Sequence, residues 1–360
     1  MIRSEPDAVR CMLMRGGTSK GGYFLASDLP TDPSARDTLL LRIFGSPDPR
    51  QIDGIGGGHP LTSKVAVVSP SSHPDADVDY LFLQVVVDRT EISAKQNCGN
   101  ILAGVGPFAV ERGLVPAVDG QTTVRIRMLN SGSIAIATFS TPCGSVAYDG
   151  DVAIAGVAGT AAPIRIAFAD TAGSTCGALL PSGSVVDDID GVRVTCIDNG
   201  MPVVVIAAAD LGVAGTESPA ELEANTALAQ RLASIRTRAG KLMGFDDLNG
   251  SSVPKMTLVS PPVAGGTVNT RTFIPVRAHS SIGVLGALTV AAAARIPGTM
   301  AYDVAASGDG PVRIEHATGT FDCDIAITGC GVDSLTVDDS AVIRTARKLF
   351  DGTTFAGPIS

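Results

Sequence analysis

The sequence predicts an α+β protein built from two similar domains, and three observations carry that reading. Short β-branched runs separated by turn residues recur along the chain: KVAVVSP, VDYLFLQVVV, TTVRIRML, SIAIATF, VRVTCI, PVVVIAAA and KMTLVSP. Helical patterning is confined to separated stretches at 34–43, 100–113, 219–240 and about 281–295, with a weaker one at 339–349. The third observation is an internal repeat.

Each run is justified by its neighbours. The strands are rich in Val, Ile, Thr and Phe and end at Gly, Pro, Asn or Ser, which suits a pleated, half-buried surface bounded by turns. In the repeat, TSKGGYFLASDL (18–29) aligns with GMPVVVIAAADL (200–211) at an offset of 182. LTSKVAVVSP (61–70) then matches VPKMTLVSP (253–261), with Lys64 opposite Lys255 at an offset of 191. CGNILAGVGPFAVERGLVP (98–116) parallels SSIGVLGALTVAAAARIPG (280–298), again at 182. Three matches in one order predict two domains, each a strand-rich shell around a Gly-rich helix, with both helix starts pointing into a shared cleft suited to carboxylates.

Composition narrows the function. The chain has 360 residues, enough for two domains, and a net charge of −9 with no Trp and four Tyr. Its pI is near 4.9, and no Lys/Arg run is present, so nothing favours nucleic acid. Mean hydropathy is +0.28, yet the longest apolar stretch, LGALTVAAAARIPG, is too short to span a membrane. The opening MIRSEPDAVRCMLMRGG lacks the order of a secretory signal. Seven widely spaced cysteines, with no CxxC pair, argue against disulfides and a structural zinc site and suit a cytoplasmic protein. No His/Asp/Glu cluster has metal-ligand spacing, so no metal is expected.

The residues that carry chemistry begin with KQNCGN. This segment places Cys98 at what reads as a helix start, where unpaired N–H groups stabilise a thiolate or a bound carboxylate. Lys64 follows a glycine-dense loop 34 residues earlier, at the edge of a β-branched run, and the two form a candidate proton-handling pair. His59 lies in that loop and is placed to orient Lys64. RGGTSKGG lacks the GxxxxGK[ST] spacing of a nucleotide cradle. The bland readings are a surface lysine, an inert core cysteine and structural roles for the other six cysteines.

At this point several segments together resemble a known family. RGGTSKGGYF, GSPDPRQIDGIGG, PLTSKVAVV, QNCGNILAGVGPFAVERGLV, CGALLPSG, IDNGMPVVV, GGTVNTRTFIP and RTARKLFDG are similar to the 4-oxalomesaconate tautomerase and 2-methylaconitate isomerase (PrpF) family. The resemblance implies a diaminopimelate epimerase-like fold of two pseudo-symmetric domains, each a β-barrel-like sheet around a central helix. On that reading residues 1–183 form the first domain, 184–340 the second, and 341–360 pack back on the first.

The resemblance also implies Lys64 and Cys98 as the catalytic residues of a cofactor-independent isomerase. Epimerases of this fold carry a second cysteine, but the second helix here begins HSSIGVLGA, which puts a two-thiol racemase in doubt. One lysine, neutral at rest, would suffice to move a proton through a dienolate, by a 1,3-allylic double-bond shift or a keto–enol tautomerisation, which share that intermediate. Expected substrate-binding groups are Arg15, Thr18, Ser19, Lys20, Ser63, Asn97, Gly99, Asn100, Asn199, Arg271, His279 and Ser280. The expected ligand is a small polycarboxylate, 4-oxalomesaconate from aromatic-compound (lignin-derived) catabolism, with 2-methylaconitate or aconitate as the alternative and a noncatalytic binding module as a third reading. No nucleic acid, membrane or cofactor enters, and assembly is left open, a homodimer included.

Overall fold

The computed structural model describes residues 7–95, 98–275, 277–329 and 331–358. The chain divides into two compact units, Met1–Ile166 with Arg344–Ser360, and Ala167–Ile343. The first therefore closes ahead of the expected boundary at 183, and the returning segment starts at Arg344. Among the described residues no helix is long and apolar enough to cross a membrane.

The first unit runs through β1 (Ala8–Gly16), β2 (Ser19–Leu25), α1 (Pro33–Phe44), β3 (Lys64–Pro70), β4 (Val78–Val85) and β5 (Ile92–Ser93). It continues through α2 (Gly99–Leu102), α3 (Val105–Glu111), β6 (Gly120–Met128), β7 (Ile134–Thr141) and β8 (Pro163–Phe168). The second holds β9 (Asp187–Ile189), β10 (Val192–Asp198), β11 (Pro202–Ala207), α4 (Pro219–Ala224), α5 (Thr226–Leu242) and β12 (Lys255–Ser260). It goes on with β13 (Val268–Ile274), β14 (Arg277–Ala278), α6 (Val284–Ala293), β15 (Val312–His316), β16 (Gly319–Thr328) and β17 (Thr336–Phe355), whose last part belongs to the first unit.

The repeat is written in the strand pairings. In the first unit β1–β2 is antiparallel, β2–β3 parallel, β3–β4 antiparallel, β4–β6 parallel and β6–β7 antiparallel. In the second, β10–β11, β11–β12, β12–β13, β13–β15 and β15–β16 follow the same sequence of directions. Register agrees residue by residue: Gly21 pairs with Lys64, and Val203 with Lys255, the positions that the 182 and 191 offsets relate.

Each unit places one helix outside its sheet and one inside. In the first, Val65, Val67, Leu83 and Phe24 pack with Leu40, Ile43 and Phe44 of α1. Strand alternation then turns Lys64, Ala66 and Val68 to the opposite face, where α2 and α3 touch β1, β2, β3, β6 and β7. In the second, Leu228, Leu232, Ile235 and Ala239 form the i, i+4, i+7 stripe of α5 against Val194, Ile206 and Met256. α6 is the inner helix there; it touches β10, β11, β15 and β16, and its small and apolar residues suit burial on every side, with its one polar side chain, Thr289, hydrogen-bonded to Met201 O and Leu285 O.

Four expectations about helices need correction. The stretch 339–349 is not helical but lies within β17, which pairs with β16 through Val342 and with β1 from Ala346 onward. Its alternating small and β-branched residues fit either period, and long-range pairing decides the matter. The 100–113 helix is broken between α2 and α3. Pro107 has no N–H to bond one turn back, and Gly104 gives way to Tyr23, whose hydroxyl would lie 2.5 Å from a Cβ there. Asn225 interrupts 219–240, ending α4 and capping α5 by accepting from Leu228 N–H. The last inner helix starts only at Val284, with Gly283 as its N-cap, so Ser280 lies ahead of it.

Candidate active site

Lys64 opens β3 on the inner face and is 7% exposed. Its Nζ donates to Gln84 Oε1 at 2.6 Å and lies 5.1 Å from the centre of the Phe82 ring. Gln84 is the cross-strand partner of Lys64 on β4, and Phe82 stands two residues earlier on the same face. An amide oxygen and an aromatic face are both partners for an ammonium.

Cys98 heads α2, half-buried, as an N-cap that makes no side-chain cap bond. Two buried tyrosines pin the turn behind it: Tyr23 donates to Ile101 O at 2.5 Å, and Tyr80 to Cys98 O at 3.5 Å. Burial, then the nearby Cys98, pushes both hydroxyls well above the ordinary phenol range, so they stay neutral donors. Because α2 is a single turn, its dipole is far weaker than the long helix read from the sequence implied. Gly99 and Asn100, as its first residues, have no intrahelical acceptor for their N–H groups.

The β1–β2 turn lies against this helix start. Asn100 Nδ2 donates to Thr18 Oγ1 at 3.0 Å, and Arg344 donates to Asn100 Oδ1 at 3.1 Å. Gly17 has φ +51, and a Cβ there would collide with Asn100 Oδ1, so only glycine lets the turn approach so closely. Ser19, on the inner face, is 2% exposed and its hydroxyl has no hydrogen-bond partner among the described residues.

Neighbouring candidates separate by strand alternation. Lys20 shares the outer face with Gly22 and Phe24, opposite to Ser19, and Arg15 is its cross-strand partner. Arg15 donates to Gly17 O, Thr345 O and Thr345 Oγ1; burial and then Arg347 hold it below the usual guanidinium range. Both cations thus face away from Lys64. Ser63 is fully buried, and its hydroxyl lies 2.6 Å from Gln51 Oε1 and 2.9 Å from His59 O, which commits its one proton. His59 accepts from Leu61 N–H and caps the 60–62 turn rather than bonding to Lys64.

In the second unit two expected ligands have their polar groups engaged within the protein. Asn199 is buried, donates to Leu288 O and Ser340 Oγ, and accepts from Thr171, so its amide is fully engaged. Arg271 donates to Glu217 O, Thr216 O, Asn269 Oδ1 and Thr270 O, tying a loop to β13. His279 and Ser280 are exposed; His279 Nδ1 lies 3.0 Å from Ser281 N, and Ser280 O accepts from Thr318. Lys255 is half-buried, its Nζ 3.9 Å from where a Gly283 Cβ would stand, and burial lowers it below the usual lysine range. Asn97 and Cys330 lie outside the described residues. Among those described, no group of three or more His, Cys, Asp and Glu side chains is placed to hold a metal.

Gln84, Phe82, Tyr23, Tyr80 and Arg344 escape the sequence reading. Gln84 had a signal: it is the one amide in the apolar run VDYLFLQVVV. Arg344 had none, since its partner Asn100 is 244 residues away.

The chain is similar to known proteins over nearly its whole length. A (4E)-oxalomesaconate Δ-isomerase of Novosphingobium is 57% identical, covering 97% of this chain and 98% of its own. A 4-oxalomesaconate tautomerase of Pseudomonas putida is 53% identical, covering 97% and 96%. A crystal structure of a methylitaconate Δ-isomerase superposes with a TM-score of 0.87 at 36% identity, covering 97% of this chain and 95% of that one. The family described as PrpF protein matches residues 7–356, and with relatives this similar the chain belongs to the PrpF family.

Proposed function

We infer that this chain is an isomerase that moves a proton between two carbons of 4-oxalomesaconate, without metal or organic cofactor. The observation that carries this reading is the 57% identity, over nearly full length, to a (4E)-oxalomesaconate Δ-isomerase. We further assign it the diaminopimelate epimerase-like fold, which the doubled strand order supports, and place it in the cytoplasm, where free thiols such as Cys98 persist.

The chemistry follows from the groups in the first unit. A proton on carbon next to an unsaturated keto acid is acidic because its removal gives a delocalised dienolate. Lys64 has an amide oxygen and a ring face as partners, both suited to an ammonium, which makes it the proton donor of the pair. Cys98, as thiolate, removes the first proton and becomes a thiol; Lys64 returns a proton two carbons away and becomes an amine. Proton exchange with water restores both. One neutral lysine performing both steps is the alternative division, and the partners of Lys64 favour the first. Ser19, Thr18 and the N–H groups of Gly99 and Asn100 serve as donors to carboxylate or enolate oxygens.

Proton NMR of turnover in D2O tests the reading. Incubated with 4-oxalomesaconate, the protein is expected to shift the double bond and label the new C–H position. Faster turnover of 2-methylaconitate would reassign the substrate, as a 2-methylaconitate isomerase of Shewanella oneidensis is 35% identical. Solvent label absent from both acids would leave a binding protein.

A further inference from the structure

Gln84 holds the Lys64 amine in a way that its own surroundings fix. Its Nε2 lies 3.1 Å from Pro60 O, 3.0 Å from Ser63 O and 3.1 Å from Val85 O. Three carbonyl oxygens accept and cannot donate, so the amide nitrogen must sit there. Flipping the amide would set its oxygen against those carbonyls and its NH2 against an amine. Oε1 is thereby held toward Lys64 Nζ at 2.6 Å. The loop behind is itself braced, with Ser63 and Gly58 N–H bonded to Gln51 Oε1 and Gln51 Nε2 bonded to Ser46.

The acceptor is neutral, and that matters chemically. A carboxylate at this place would form an ion pair and resist loss of the lysine's proton; an apolar residue would leave a flexible four-carbon stem unplaced. An amide oxygen orients one N–H and leaves two for substrate.

The second unit supplies an internal contrast. Lys255 occupies the register position of Lys64, but the residue after Phe273, where the β12–β13 register calls for the counterpart of Gln84, is Ile274. No hydrogen bond or ion pair is seen for the Lys255 amine among the described residues. The device is present in one unit and absent from the other.

We propose that Gln84 is the positioning residue of Lys64, holding its amine so that the remaining N–H groups are aimed at substrate. This rests on the role assigned to Lys64 above. Other ionisable groups on elements packed against β3 are otherwise occupied or turned away. Asp79 is bonded to Arg127 and Ser71, and Glu111 to Lys348 and Tyr148. Tyr23 donates to Ile101 O of α2 and Tyr80 to Cys98 O at its N-cap, His59 caps its own turn, Asp28 is exposed and Lys20 faces outward. Cys98 heads α2.

The test compares Gln84→Glu, Gln84→Met and Lys64→Met in the full-length protein. The Lys64 amine is titrated by NMR of 13C-lysine-labelled protein, assigned by its loss in Lys64→Met, which needs no substrate. Its midpoint is expected to rise by about one unit or more in Gln84→Glu, as for a group gaining an opposite charge, and to fall in Gln84→Met. Turnover of 4-oxalomesaconate should show the same opposed displacements in the lysine limb of the kcat–pH profile. In Gln84→Met, kcat should fall roughly tenfold to a hundredfold with KM little changed, the scale set by a misplaced catalytic group. General structural damage would not move two midpoints in opposite directions. A lysine midpoint unchanged in both variants overturns the positioning role and leaves the isomerase reading standing. Full turnover by Lys64→Met overturns the role assigned to Lys64 and with it this proposal, whereas absence of turnover by the wild-type protein overturns the isomerase reading. If Gln84→Glu does not fold, the Gln84→Met midpoint and kcat decide alone, and wild-type values there refute the proposal.

Discussion

Lys64 and Lys255 stand at one and the same position of a strand order that the chain uses twice, each opening a strand paired in parallel with the one before it, opposite Gly21 and Val203. Their surroundings differ: Lys64 is bonded to Gln84, whereas Lys255 is half-buried and burial alone lowers it from 10.5. One position holds a hydrogen-bonded amine, and the other carries a desolvation cost.

Stability should register that cost. The folded state disfavours the Lys255 ammonium, so between its lowered folded value and the unfolded value the unfolded chain binds more protons and stability rises with pH. Lys255→Met removes a penalty that is fully present below that window. Thermal melts are expected to show Lys255→Met at least as stable as wild type at pH 7, with the gap closing as pH approaches 10.5. A less stable variant at pH 7 would mean the amine has a partner.

Replacing either member of the proton-handling pair should be costly. Lys64→Met and Cys98→Ser are each expected to lower kcat by about a hundredfold to ten-thousandfold with the melting temperature preserved. A mild Cys98→Ser would return the mechanism to a single amine working on one face.

The approach of the β1–β2 turn to α2 depends on Gly17. Gly17→Ala forces a left-handed residue, at about 1–2 kcal/mol, and adds a collision with Asn100. Gly132, at φ +79 with nothing near its missing Cβ, provides the control, since Gly132→Ala meets only the backbone term. Denaturant melts should rank Gly17→Ala as the more damaging, and activity should fall in that variant alone.

Asp198 predicts a pH effect of the opposite sign to Lys255. Its carboxyl is buried, accepts from the N–H groups of Thr175 and Cys176, and is raised above 3.8 chiefly by burial. The folded state therefore binds its proton more tightly, and this contribution to stability is lost as pH rises through the raised value. Asp198→Asn, whose amide oxygen can accept the same two N–H groups, should flatten that fall in a melting series from pH 4 to pH 7. An unchanged slope would show that the carboxyl titrates normally.

The second inner helix offers no thiol for two-base chemistry, because Ser280 and Ser281 precede Gly283 and Val284. In D2O the protein is expected to leave the α-hydrogens of proline and diaminopimelate unexchanged, and chelator treatment is expected to leave isomerase turnover intact. Solvent label at an amino-acid α-carbon would overturn the exclusion of amino acids, and label with inversion would require a second group on the opposite face.

Local order was legible in the sequence because it is set by neighbours: the β-branched runs became β3, β4, β6, β7, β10, β11 and β12, and the offsets 182 and 191 became strand register. Lys64 and Cys98 were legible as candidates from their type and setting, and the structure places them at the start of β3 and at the N-cap of α2. Tertiary structure decided which of the other motif residues are free to meet a ligand. Ser19 and Lys20 are adjacent in sequence and opposite in space, because successive strand residues point to opposite faces. Arg271, Asn199 and Ser63 have polar groups suited to a carboxylate, yet partners from distant parts of the chain consume them. The segment 339–349 had patterning for a helix, and β1 and β16 drew it into a strand. Composition and periodicity are properties of a segment, whereas the direction of a side chain and the occupancy of its hydrogen bonds belong to the neighbours that folding brings to it.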